Sequence, residues 1–129
     1  MKQTQVTKGK ETIIIGGDSA TLFCQVITQD INENKVIADV ENGTMYFALA
    51  KEMEENVALV QKECLQGEDG IFYATLEPSD TEDLEGRFIC QFKLVLDLGN
   101  DEKAEYTRTY ADIIIKRGIP QIEMEEIGN

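Results

Sequence analysis

Alternation with a period of two is the feature that most constrains this chain. In GRFICQFKLVLDL, Phe88, Cys90, Phe92, Leu94 and Leu96 fall on one side of an extended strand, because successive side chains of a strand point to opposite faces. TMYFALA repeats the pattern with Met45, Phe47 and Leu49, and DSATLFCQVIT places Ala20, Leu22, Cys24 and Val26 on one face. No longer window carries the helical repeat of about 3.6 residues. Turn signals separate the runs: Gly16-Gly17 after ETIII, TQDINEN before KVIADV, Glu41-Asn42-Gly43 as a hairpin signal, QGEDG before IFYATLE, and LGNDEK before AEYTRTYADIIIKRG. NVALVQKECL reads as one strand and KEMEEN as a helical turn or a loop. Short strands separated by turn signals fit a β-sandwich or a small barrel; the expectation is an all-β domain, an antiparallel β-sandwich of about seven to nine strands, spanning residues 1–118. Residues 119–129, IPQIEMEEIGN, form an acidic C-terminal tail.

A chain of 129 residues is one domain with room for a core. Hydrophobic residues at 42% against 29% charged place it with folded proteins rather than disordered ones. The formal charge of −13 repels phosphate backbones and anionic lipid, so neither nucleic acid nor a membrane surface is expected as a partner. There is no histidine, which removes the usual general base and every Ser-His or Cys-His nucleophile. Lys62, inside VALVQKECL, is read as a solvent-facing strand residue rather than a nucleophile. No catalytic residues, cofactor or metal site are expected. MKQTQVTKGKETIII lacks the apolar core of a signal peptide. Three cysteines without a CxxC pair suit a reducing compartment.

Two acidic stretches invite sharper chemistry. In DINENKVIADVE, Asp30, Asn32, Asn34 and Glu41 take ligand positions of an EF-hand-type loop. Lys35, however, stands where the sharp turn needs glycine, and the flanks alternate as strands. PSDTEDLEGRF reads as a structural corner: Pro78, Asp80 and Thr81 make a helical turn, Leu84 plugs the core, Gly86 frees the backbone, and Phe88 enters the next strand. Asp80, Glu82, Asp83 and Glu85 then face solvent or bond to the turn. Four acids on one turn are not the two carboxylates held across a cleft that acid–base chemistry requires.

Gly86-Arg87-Phe88-Ile89-Cys90 resembles the G-x-Y-x-C entry to strand F of immunoglobulin domains, with Cys24 inward on the strand where the partner cysteine would lie. There is no tryptophan, and Phe88 lacks the hydroxyl of a tyrosine corner. Whether Cys24 and Cys90 are bonded stays open; Cys64 is read as unrelated to them. From residue 11 to residue 118 the chain also resembles phage modules: the N-terminal domain of the baseplate upper protein and related prophage proteins of Gram-positive bacteria. IIIGGDSATLFCQV, NGTMYFALAK, LVQK and YADIIIKRG carry the likeness. Its most specific element is L-x-P-x-D-T-x-x-L-x-G-x-F at Leu76, Pro78, Asp80, Thr81, Leu84, Gly86 and Phe88.

The resemblance implies an immunoglobulin-like sandwich without catalysis, acting as a tail, baseplate or fibre component made in the bacterial host cytoplasm and built into the virion. Its partners would be other virion proteins and further copies of itself. Candidate assembly contacts are Ile13, Ile14 and Ile15, as an added strand, and Ile119, Ile122, Met124 and Ile127 in the tail. The alternative is a sandwich that binds host-surface carbohydrate or calcium, using Tyr46, Tyr73, Tyr106 and Tyr110.

Overall fold

The inward residues of the alternating runs become the core. Leu22, Phe47, Leu49, Phe72, Ala74, Leu76, Cys90, Ile113 and Ile115 are essentially solvent-free. A computed structural model describes residues 3–7, 9–51 and 57–118; the tail and most of KEMEEN lie outside the described residues. In chain order the strands are β1 (Gln3–Gln5), β2 (Thr12–Gly16), β3 (Ala20–Gln25), β4 (Ile27–Gln29), β5 (Lys35–Ile37), β6 (Gly43–Ala50), β7 (Val60–Glu63), β8 (Leu65–Gln66) and β9 (Ile71–Leu76). The helical turn α1 (Pro78–Thr81) follows, then the long strands β10 (Gly86–Gly99) and β11 (Glu102–Arg117).

One sheet has the order β1-β3-β9-β8 and the other β2-β11-β10-β6-β7, with β4-β5 a separate small hairpin. This is the immunoglobulin arrangement: A, B, E and D on one side; G, F and C on the other, with an extra edge strand at each end. The expected all-β sandwich is therefore the fold. It departs from a purely antiparallel one at both N-terminal strands, since β1 runs parallel to β3 and β2 parallel to β11. Inside, Phe47 meets Phe92 edge-on at 5.2 Å between ring centres, and Phe92 meets Tyr110 at 6.0 Å. Such pairs add ~0.5–1.5 kcal/mol each beyond area burial.

Local chemistry sets the turns. Asn100 and Asp101 both take positive φ, 53° and 62°, which suits the twist of a tight hairpin. LGNDEK thus closes β10 onto β11 as expected. The Glu41-Asn42-Gly43 signal gives a turn, with the Gly43 N–H donating to the Val40 carbonyl at 2.9 Å, but not the expected hairpin. β5 pairs with β4, and β6 pairs with β10 and β7. NVALVQKECL is not one strand either: it breaks at the buried Cys64 and switches sheets, β7 joining β6 and β8 joining β9.

Candidate functional site

The corner between β9 and β10 is held from several sides. The Glu77 N–H donates to Asp80 Oδ2 at 2.7 Å, and the Lys62 ammonium lies 2.9 Å from the same oxygen. Lys62 is thus not the solvent-facing residue expected: it sits opposite Phe47 in the register, half-buried, and reaches across to the corner. Burial opposes ionisation of Asp80, but the Glu77 amide and then the Lys62 hydrogen bond and charge outweigh it, holding the carboxyl below its usual range. Thr81 is completely buried, and its Oγ1 accepts the Gly17 N–H at 3.1 Å, tying the corner to the turn after β2. Leu84 packs on the core, and Phe88 lies in it beneath the Lys51 ammonium, 4.8 Å from the ring centre. Gly86 enters β10 at φ 117°, a backbone region that side chains strongly disfavour. Pro78 begins the helical turn, and its carbonyl accepts the Glu82 N–H at 3.1 Å.

The acidic loop upstream is a hairpin turn. Asp30 Oδ1 accepts the N–H groups of both Asn32 and Asn34 at 2.9 Å, and Glu33 takes φ 64° between them. No cluster of metal-ligating side chains forms among the described residues. Nor is any helix among them long and apolar enough to cross a membrane. The thiols of Cys24, Cys64 and Cys90 are free and buried. Burial pushes each up to about 12; Cys64 adds to the rise at Cys24, and Cys24 to that at Cys90. Cys64, read as unrelated, therefore belongs to the same core neighbourhood as the other two.

The feature that sequence reasoning missed lies along β11. Strand β2 pairs with β11 only from Ile113 to Arg117. Among the described residues, 102–112 therefore have β10 on one side and no strand on the other. Tyr106 is 60% exposed although it pairs with Leu94, whose side chain is in the core. A cleft of about 880 Å³ opens beside this edge. Its lining includes consecutive residues of β11, Glu105 to Arg108, and consecutive residues from Cys24 to Thr28. Neighbouring strand residues point to opposite faces, so the cleft follows the rims of the two sheets rather than lying over one face. Met45, Phe92, Leu94 and Leu96 form its apolar floor.

Arg108 forms no ion pair among the described residues, whereas Glu105 is neutralised by Lys93 at 3.0 Å. Burial raises the Tyr110 hydroxyl above its usual pKa, Cys24 adds to the rise, and Arg108 opposes it.

The N-terminal contact candidates divide between the two faces of β2, an outer strand of its sheet. Ile13 and Ile15 are 54% and 37% exposed, while Ile14 is 4% exposed and part of the core. Ile119, Ile122, Met124 and Ile127 lie outside the described residues. Of the tyrosines, Tyr106 and Tyr110 line the cleft. Tyr46 and Tyr73 belong to outward-facing positions on different sheets, Tyr73 packing on Phe23. The sequence matches no family model and no curated protein.

Proposed function

We propose that this chain is a non-catalytic structural component of a phage or prophage virion, in the tail, baseplate or fibre, that works by protein–protein assembly. The observation that carries the reading is the unpaired edge of β11 over residues 102–112, beside an apolar-floored cleft. An open strand edge offers a row of backbone donors and acceptors to another chain, and a protein that does not use such an edge usually covers or charges it. The second exposed edge, β2 with Ile13 and Ile15, gives a further contact surface. The corner motif resembling the baseplate modules supplies the virion setting, with synthesis in the host cytoplasm before incorporation. Light scattering across a wide concentration range is the test. A defined oligomer or a stoichiometric complex with another virion protein is expected; a monomer that binds no virion component would overturn the reading.

A second reading rests on the cleft itself, where Tyr106 and Tyr110 stand near Arg108. A host-surface carbohydrate would stack on such rings. Glycan-array binding lost on Tyr106→Ala would favour it, and silence on the array would remove it.

A further inference from the structure

The β11 edge is specific about what it accepts. Its inward-facing row is Ala104, Tyr106, Arg108 and Tyr110, by register with Leu96, Leu94, Phe92 and Cys90. An added strand must therefore offer apolar residues at alternate positions to the cleft, and a carboxylate beside Arg108. Residues 119–127 of this same sequence meet that description: Ile122, Met124 and Glu126 share one face of an extended strand, and the segment has no basic residue. At ~3.3 Å per residue it spans ~30 Å, about the length of the open edge.

A chain's own segment is badly placed to reach this edge. It leaves Gly118 against Ile15 of β2, and β2 occupies the same side of β11 up to Ile113. To reach residues 102–112 it would have to cross over β2 and reverse; a segment from another molecule meets no such obstacle.

We propose that the 119–127 segment of a second copy adds to β11 as a parallel strand, with Glu126 beside Arg108 and with Met124 and Ile122 beside Tyr106 and Ala104, toward the cleft. The direction follows from the length of the open edge. Opposite Arg108, an antiparallel Glu126 would set residues 119–121 against 113–115, where β2 already pairs, and Ile122 against Asp112; the parallel register lays 119–127 along 101–109. Glu123 then stands opposite Glu105, whose charge Lys93 already meets at 3.0 Å. The proposal rests on the assembly reading and names the partner of its edge.

The test is complementation between two full-length variants, followed by light scattering. Arg108→Glu spoils the edge and keeps the segment; Ile122→Lys with Met124→Lys spoils the segment and keeps the edge. The unsubstituted chain is expected to reach at least twice the monomer mass. Each variant alone should stay monomeric, and an equimolar mixture should give a one-to-one complex, since one good edge and one good segment remain. Arg108→Glu with Glu126→Arg should restore self-association. Tyr106→Glu serves as a second edge variant should Arg108→Glu melt early. If the unsubstituted chain assembles and either single-site class assembles equally well, the segment is not the occupant and the assembly reading stands. If the unsubstituted chain stays monomeric, this proposal falls, and the assembly reading falls with it only if the chain also binds no other virion protein.

Discussion

Replacing Thr81 by valine tests whether the corner is held by a hydrogen bond or only by shape. The side chain is fully buried, and its Oγ1 accepts the Gly17 amide at 3.1 Å. Valine keeps the branched shape and removes the acceptor. A buried amide left without a partner costs ~1–3 kcal/mol; the Gly17 site is only partly buried, which favours the lower half of that range. The added methyl returns up to ~0.8 kcal/mol by the usual value for a buried carbon. The net expectation for Thr81→Val is a loss of ~1 kcal/mol. For a domain of this size that corresponds to a fall in Tm of ~3–5 °C.

Urea and thermal melts measure the loss, with the urea m-value unchanged because the folded state keeps its extent. Amide exchange at Gly17 separates the cause: it should accelerate beyond the global change, since its acceptor is gone. A Thr81→Val protein as stable as the parent, with Gly17 exchange unchanged, would refute the bond's contribution and leave packing alone to hold the corner.

Asp80→Asn should cost ~1–2 kcal/mol by weakening both the Lys62 pair and the charge-assisted bond from the Glu77 amide; a urea midpoint within error of the parent would contradict this. Because the folded Asp80 carboxyl titrates below its ordinary 3.8, its stabilisation is present above that pH and lost as pH falls through the folded value. Asp80→Asn should therefore flatten the acid limb of the stability curve, read from melts between about pH 5 and pH 2. The thiols act at the other end. With pKa values raised from 9.0 to about 12, they stay protonated in the folded protein while the unfolded chain ionises. Stability is then full below about pH 9 and falls above it, by ~1.4 kcal/mol per pH unit for each thiol. Cys90→Ala lowers stability at neutral pH but should make the alkaline decline shallower; an equally steep decline would contradict the burial of that thiol.

The fold was legible where one face of a strand is buried and the other is not. Met45, Phe47 and Leu49, and the row from Phe88 to Leu94, could be assigned inward from alternation alone, and they are inward. Gly86 announced a backbone conformation that most residues avoid, and LGNDEK announced the hairpin that joins β10 to β11. What was not legible depends on which strand stands next to which. Asn42-Gly43 carries a hairpin signal, yet β5 leaves with β4. The run containing Cys64 reads as continuous because its alternation persists while its backbone changes sheets. Lys62 looked solvent-facing because sequence cannot reveal Asp80 across the corner. The open edge of β11 was hidden for the same reason: residues 102–112 look like any half-buried strand, and only the short reach of β2 leaves them without a second neighbour.

Hydrogen–deuterium exchange along β11, at concentrations below and above the onset of self-association, tests most directly whether this edge is where the protein assembles. The outward amides within residues 102–112 should exchange quickly in the dilute protein and become at least tenfold slower on assembly, in step with the rise in mass. Assembly that leaves those amides unprotected would contradict the assignment of the edge.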